Sequence, residues 1–240
     1  MANQAGIGTR ILCGVDGTPA SLTAVRQAVR LADDGELLLF AVVNLGQAAH
    51  AGMAARHAAD LLQRDAEAAL EEAKAIAPAA PARLVDGDPA TVLQQEAEAE
   101  NATLIAVGSH GRRRAAGLLL GTVTARMLRD AKCSVLVARP ADDPATWPHE
   151  IVVGYDGSPE SEAALAAARS LAERFGGEAR TVQEDGKKAV QVLVASSGSA
   201  DLVAVGSRGL HGLKSLGSVS ERVAHQSRCS VLVVRSPQTK

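Results

Sequence analysis

The chain has 240 residues, of which 47% are hydrophobic and 22% charged, and its formal net charge is −2 at pH 7. This composition is typical of a globular protein with one or two domains, and the small net charge argues against DNA or an anionic membrane as the main partner. Aromatic residues make up only 2% of the chain, too few for the stacking surfaces of a single-strand nucleic-acid binder.

Two further features of the sequence bear on location. No apolar run approaches the length of a membrane-spanning helix, and residues 1–9 lack the basic start and apolar core of a signal peptide. The three cysteines, Cys13, Cys133 and Cys229, lie far apart, in or beside predicted strands and without CxxC spacing. We interpret them as buried thiols in a reducing compartment, and we expect a cytoplasmic protein.

The first part of the chain alternates between apolar strands and amphipathic helices. Strands are predicted at 11–15, 37–43, 82–85, 104–107 and 134–138, and helices at 21–33, 52–76, 89–100 and 123–131. The apolar residues of the first helix that are predicted to face the core are Leu22, Val25, Val29 and Ala32. Asp88 before Pro89 is a typical N-cap followed by proline at the first helical position. The alternation predicts a five-stranded parallel sheet with helices on both faces.

The chain then repeats itself. Residues 151–159 match residues 11–19 at an offset of 140, and residues 202–209 match residues 104–111 at an offset of 98. The intervening segment contains Pro140, Pro144 and Pro148. We therefore predict two tandem domains, 1–139 and 150–240, joined by a linker at 140–149.

The change of offset shows that the second copy is shorter. It has lost 140 − 98 = 42 residues between its first strand and its glycine-rich segment. One strand and one helix are predicted there, within 177–185 and 187–197, where the first copy has two of each. The deletion therefore removes a whole strand–helix unit, which leaves the right-handed crossovers of the sheet intact.

A glycine-rich segment follows the fourth predicted strand. Gly108 and Gly111 are followed, after nine residues, by Gly121 and Thr122, where the next helix begins. Glycines allow close approach to a ligand, and the helix start supplies N–H groups, the positive end of the helix dipole and a hydroxyl. Together these groups would form a phosphate cradle at the ligand-binding edge of an open α/β sheet. On spacing alone, a glycine-rich turn that binds nothing is an equal alternative.

These motifs together resemble the tandem form of the universal stress protein family (UspA-like). The pattern G-x2-G-x9-G-(S/T) is the nucleotide-binding signature of its ATP-binding branch, and the four residues of the glycine-rich segment match it in type and spacing. The segment 15–19 and its repeat at 155–159 match the family as well. The resemblance implies an α/β fold of two Rossmann-like, adenine-nucleotide-hydrolase-like domains with parallel sheets.

The resemblance also implies a site in the first domain for ATP, with or without Mg²⁺. Asp16 would accept hydrogen bonds from ribose hydroxyls or help to hold Mg²⁺. Adenine would pair with the backbone of Val42 and Val43, and the ribose would lie against Val107 and Gly108. The phosphates would receive N–H groups and a hydroxyl from Gly111, Gly121, Thr122 and Val123.

Neighbouring residues leave the chemistry open. Arg112, Arg113 and Arg114 would either neutralise a triphosphate or form a solvated basic turn. His110 has no partnered nucleophile, so we interpret it as a loop residue. The sequence shows no Walker lysine and no acidic pair for metals, which favours a non-enzymatic stress or signalling protein. The alternatives are a scaffold of the same fold that binds no nucleotide, and a slow ATPase.

The second domain departs from the nucleotide-binding pattern. Its glycine loop, from Gly209 to Gly217, is two residues shorter than the first, and the missing unit would correspond to the strand that pairs with adenine. Ser218 and Glu221 form a capping box, which accounts for Ser218 without a ligand. We expect this domain to bind ATP weakly or not at all, so that each chain binds one nucleotide.

The last strand of each domain would be an exposed sheet edge, which promotes aggregation. These strands, 134–138 and 230–235, are both apolar. We predict that they pair antiparallel within one chain, as an intramolecular pseudo-dimer, and a further homodimer is an open alternative.

Overall fold

A computed structural model describes residues 6–32, 35–46, 55–111, 120–184, 186–207 and 219–235. The first half of the chain contains β1 (Arg10–Val15), α1 (Pro19–Leu31), β2 (Glu36–Val43), α2 (Ala55–Ile76), β3 (Ala82–Asp86), α3 (Pro89–Ala99), β4 (Leu104–Gly108), α4 (Thr122–Asp130) and β5 (Ser134–Ala138). The second half contains β6 (Glu150–Gly154), α5 (Pro159–Phe175), β7 (Glu178–Val182), α6 (Gly186–Ser196), β8 (Leu202–Gly206), α7 (Val219–Gln226) and β9 (Ser230–Val234).

All nine strands belong to one sheet, in the order β3-β2-β1-β4-β5-β9-β8-β6-β7. Every neighbouring pair is parallel except β5 and β9, which are antiparallel. At that junction Leu136 lies opposite Leu232, and both side chains are fully buried. The predicted pairing of the two last strands is therefore confirmed, and it joins a five-stranded and a four-stranded parallel half.

Helices cover both faces of the sheet. The core on one face is formed with α1, α2 and α5, and the core on the other face with α3, α4, α6 and α7. Successive strand residues alternate between these cores: Ile11 and Cys13 face the first, whereas Leu12 faces the second. This arrangement confirms the predicted α/β class. The strands are almost entirely apolar because both faces of the sheet are buried.

The second half retains a counterpart of β2, the strand that was expected to be missing. Strand β7 pairs in parallel with β6, just as β2 pairs with β1. Only residues 183–185 lie between β7 and α6. Helix α6 corresponds to α3 of the first half, because Leu193 packs against Gly154 in the same way as Leu93 packs against Gly14. The expectation that the missing strand is the counterpart of β2 is therefore wrong. The deletion removes the counterparts of α2 and of the outermost strand, β3, so β7 becomes the outermost strand of the second half.

Helix starts repeat between the halves. Thr18 caps α1 and Ser158 caps α5, each side chain accepting a hydrogen bond from a backbone N–H, that of Ser21 at 3.2 Å and that of Ser161 at 3.3 Å. A proline occupies the first turn of each helix. The same local chemistry thus sets the start of both helices immediately after the first strand of each half.

The predicted buried stripe of α1 is wrong at one position. Val29 is 42% exposed, whereas Ala24, Ala28 and Leu31 are fully buried. The buried face is thus rotated toward the alanines, because their small side chains let the helix approach the sheet closely.

The segment between the halves is packed against the sheet. Trp147 is 1% exposed, and its indole N–H donates to the carbonyl of Asp201 at 3.1 Å. The Asp201 carboxylate accepts from the backbone N–H groups of His149 and Glu150 at 2.8 and 2.9 Å. These bonds fix the chain at the start of β6.

Candidate functional site

The nine predicted site residues lie at one edge of the first half, at the ends of β1, β2 and β4 and around the start of α4. The pairing of β1 with β2 ends at Val15 and Ala41, so Asp16 and Val42 lie in the next row. Gly108 ends β4, where it pairs with Ala138. Carboxyl ends of parallel strands are where open α/β sheets bind ligands.

A hydrogen-bonded turn holds Asp16 in place. Its Oδ1 accepts from the backbone N–H of Thr18 at 3.0 Å and from the Thr18 hydroxyl at 2.6 Å. The backbone N–H of Asp16 donates to the hydroxyl of Ser21 at 3.3 Å. The carboxylate is therefore fixed at the mouth of the site by the same turn that begins α1.

Three glycines of the signature lie where side chains would collide. A Cβ on Gly111 would lie 2.9 Å from Oδ2 of Asp16, and a Cβ on Gly121 would lie 3.3 Å from the backbone nitrogen of Gly111. A Cβ on Gly108 would come within 2.7 Å of the backbone of Ala20 in α1. The structure thus brings Asp16, Gly111 and Gly121 together, and it gives a steric reason for each glycine.

Two residues without an assigned role hold this segment together. The hydroxyl of Thr124 donates to the carbonyl of Gly108 at 2.7 Å, and the carbonyl of Ser109 accepts from the backbone N–H of Gly121 at 2.9 Å. Both side chains are buried, with 3% and 6% exposure respectively. The sequence contained one signal for this bond: Thr124 is a polar residue on the buried face of a predicted helix, where a hydroxyl needs a hydrogen-bond partner.

The first turn of α4 has no side-chain cap. Its N-cap is Gly121, which has an extended backbone and no side chain to accept from the turn. Thr122 is exposed and Val123 half-buried at the first two helical positions. The N-cap residue therefore provides no side-chain acceptor for the N–H groups of this turn, which carry the positive end of the helix dipole.

The end of β2 is partly committed to other bonds. The carbonyl of Val43 accepts from the backbone N–H of Gly87 at 2.8 Å, on the β3 side. Alternate residues of a strand in a parallel sheet direct their backbone groups to opposite neighbours, so those of Val42 face the side of Asp16. Of the two predicted adenine contacts, Val42 therefore has the more suitable orientation.

An ion pair links the two helices beside the site. Arg126 of α4 contacts the carboxylate of Asp88, and its second nitrogen donates to the hydroxyl of Thr91 at 3.0 Å. Asp88 is the predicted N-cap of α3 and accepts from the N–H of Thr91 at 3.0 Å. The bonds from Thr91, followed by Arg126, hold the pKa of Asp88 below its ordinary value.

Among the basic residues of the loop, the structure describes His110. His110 lies with its Nδ1 3.0 Å from the hydroxyl of Ser109. The predictions for Arg112, Arg113 and Arg114, like those for Gly209, Gly217 and Ser218, fall outside the described residues.

The second half has a cleft at the corresponding edge. It has a volume of about 450 Å³ and is lined by Tyr155, Asp156, Gly157, Gln183, Glu184 and Lys188. The ammonium of Lys188 is paired with Glu184 at 2.8 Å. Among the described residues, the lining has two carboxylates and one ammonium, and this net negative charge disfavours a phosphate group.

In the described ranges, no group of three or more histidine, cysteine, aspartate or glutamate side chains converges in a way that could hold a metal ion. Within those same ranges, no helix is both long and apolar enough to span a bilayer.

The comparison with protein families decides the identity. The model of the universal stress protein family matches residues 9–139 and 177–235, well over half of the chain. The chain belongs to the universal stress protein family. The resemblance inferred from the glycine-rich segment and the repeat is thereby confirmed.

Individual universal stress proteins share its sequence and fold. One from Mycobacterium tuberculosis is 33% identical over 198 residues, which cover 60% of this chain and 65% of that protein. One from Methanocaldococcus jannaschii is 27% identical over 138 residues, covering 54% of this chain and 81% of that protein. The crystal structure of one from Archaeoglobus fulgidus has a TM-score of 0.73 at 23% identity, covering 95% of this chain and 98% of that one. The last likeness shows the shared fold over both halves.

Proposed function

We propose that the first half of this universal stress protein binds ATP or another adenine nucleotide, with or without Mg²⁺. The protein then acts in a cytoplasmic stress response or in signalling, and its nucleotide state biases its conformation or its choice of partner. The observation that carries the proposal is the convergence of Asp16, Gly111 and Gly121, at the edge of the sheet where α4 begins.

The phosphate end of the proposed site is the start of α4. The glycine at its N-cap offers no side-chain acceptor to the first-turn N–H groups, and the exposed hydroxyl of Thr122 lies beside them. An anion at this position gains hydrogen bonds and a favourable interaction with the helix dipole. The residues present therefore fit a phosphate group.

The ribose and adenine would extend from there toward β1 and β2. The carboxylate of Asp16, fixed by Thr18, lies in the row next to Val15 and Ala41, where ribose hydroxyls would donate to it. The backbone of Val42 lies in the same row and faces the same side, which is suited to the hydrogen-bonding edge of a base.

A binding role is favoured over catalysis by the environment of the nearest nucleophile. Ser109 and His110 are within hydrogen-bonding distance, at 3.0 Å, but Ser109 is only 6% exposed. Its hydroxyl is therefore not presented to a substrate, as a nucleophilic serine must be.

One nucleotide per chain is proposed, because the corresponding edge of the second half differs. The cleft there contains Asp156, Glu184 and Lys188, whose net charge is negative. A triphosphate would be repelled by this lining unless a cation neutralised it.

The proposal is tested by calorimetric titration with Mg-ATP, after denaturation and chromatography have shown whether nucleotide was carried through purification. The expected result is one site per chain, lost in Gly121→Val. The matched control is Gly198→Ala, in a turn after α6 where a Cβ would meet its nearest atom, the carbonyl oxygen of Ala195, at 3.4 Å. Two sites would contradict the assignment to the first half alone, and the absence of both binding and carried nucleotide would indicate a scaffold.

A further inference from the structure

Two arginines cross the junction between the halves. Arg139, after β5, donates to the carbonyl of Ala224 in α7 at 2.5 Å. Arg235, after β9, donates to the carbonyl of Leu128 in α4. Each half thus provides one guanidinium to the last helix of the other half.

The two contacts are related by the internal repeat. Ser134 and Ser230 begin β5 and β9, and each hydroxyl accepts a backbone N–H from across the junction. The N–H of Arg139 donates to Ser230 at 3.0 Å, and that of Arg235 donates to Ser134 at 3.2 Å. Arg139 and Arg235 are therefore matched positions, which makes each a natural control for the other.

Both arginines hold the carboxyl end of a helix. The carbonyls that they reach lie in the last turn of α4 or α7, where the helix dipole is negative and a cation is favourable. Arg139 is buried and Arg235 is half-buried, and this burial lowers the pKa of both guanidinium groups. A short helix held in this way has little freedom to shift along its axis.

The two helices differ in what lies at their other ends. Helix α4, held by Arg235, has nine residues, of which only Thr124 and Met127 are buried. Its first turn, beginning at Thr122, is the proposed phosphate site. Since a short helix moves as one body, a contact at Leu128 also fixes the position of that first turn.

Arg235 is connected to the second half's own glycine-rich segment as well. Its Nε donates to the hydroxyl of Ser207 at 3.3 Å, and the backbone N–H of Ser207 donates to the carbonyl of Val234 at 2.8 Å. A hydrogen-bonded path therefore runs from the second half, through one side chain, to α4.

We propose that Arg235 is a positioning residue for the phosphate end of the first-half nucleotide site, so that the second half sets the nucleotide affinity of the first. This inference rests on the proposed function. It gives the shortened second half a role other than ligand binding. By linkage, nucleotide binding strengthens the contact between α4 and Arg235 to the same extent.

The test compares Arg235→Lys with Arg139→Lys in the full chain. Lysine keeps the charge but loses the planar fork of donors, so both variants weaken the same kind of contact. The expected result is a rise of about tenfold in the Kd for Mg-ATP in Arg235→Lys and a change of less than about twofold in Arg139→Lys. Equal effects of the two variants, or no effect of Arg235→Lys, would overturn the inference.

A second readout separates positioning from general destabilisation. Adenosine has no phosphate, so its Kd should be unchanged in Arg235→Lys while that of ATP rises. A parallel loss of adenosine binding would overturn the positioning role. If Arg235→Lys does not fold, as judged by circular dichroism, Ser207→Ala replaces it, with an expected rise of about threefold for ATP alone. Failure of the unmodified protein to bind ATP would instead reject the proposed function itself.

Discussion

The carboxylate of Asp16 lies directly against Gly111. A Cβ on that glycine would be only 2.9 Å from Oδ2, although the two residues are separated by most of the first half of the chain. The contact joins the turn after β1 to the loop after β4. A side chain at the second glycine of the signature would therefore displace the Asp16 carboxylate.

Replacing Gly111 with alanine is expected to weaken Mg-ATP binding by about tenfold or more, because the added methyl group must displace Asp16 or the loop. The measurement is a calorimetric titration, with Gly198→Ala as the control that adds a methyl group where the nearest atom lies 3.4 Å away. Unchanged affinity in Gly111→Ala would show that the contact has no part in binding.

Thr122→Ala is expected to raise the Kd for ATP by about tenfold or more, since one hydrogen bond to a charged phosphate is lost. Thr122→Ser keeps the hydroxyl and should bind nearly as well as the unmodified protein. Equal losses in the two variants would indicate that the methyl group of Thr122, rather than its hydroxyl, matters at this position.

The hydrogen bonds of Asp88 with Thr91, together with its ion pair with Arg126, predict a pH dependence of stability. The pKa of Asp88 is lower in the folded protein than in the unfolded chain, so its carboxylate stabilises the fold above its ordinary pKa of 3.8. That contribution is lost as the pH falls through the lower, folded value.

Asp88→Asn should therefore be less stable than the unmodified protein near neutral pH, and the difference should shrink below about pH 4. Denaturant unfolding at a series of pH values measures it. Asparagine still caps α3, which leaves the charge as the main change. A difference that stays constant down to about pH 3 would contradict the assignment.

The cysteines should react slowly in the folded protein. Burial raises the pKa of Cys13 and of Cys229 to about 12, and that of Cys133 to about 11. Few thiolates are therefore present at about pH 8, and a thiol reagent should modify three residues rapidly only after unfolding. Rapid modification of a native thiol would show that its strand end opens readily.

Much of the fold was predictable because it depends on local patterns. Alternating apolar strands and amphipathic helices predicted a parallel sheet covered on both faces, and the apolar character of 134–138 and 230–235 predicted that β5 and β9 pair. Asp88 before Pro89 correctly marked the start of α3. In each case the sequence signal and the structural cause lie within a few residues.

Other features depend on contacts between distant residues. The sequence indicated that the second half had lost one strand and one helix. Which strand is missing is decided by the pairing of β7 with β6, which the sequence does not reveal. The contacts of Arg139 and Arg235 exist only because β5 and β9 are antiparallel. Val29 was predicted to face the core because it is apolar, but it is exposed because the neighbouring alanines of α1 pack against the sheet instead.

The most direct test of the nucleotide-binding proposal is native mass spectrometry of the intact chain with Mg-ATP, because it counts the bound nucleotides. The account predicts a single added mass of one nucleotide, present in the unmodified protein and in Gly198→Ala but lost in Gly121→Val. Two nucleotides per chain, or one that persists in Gly121→Val, would contradict a single site at the start of α4.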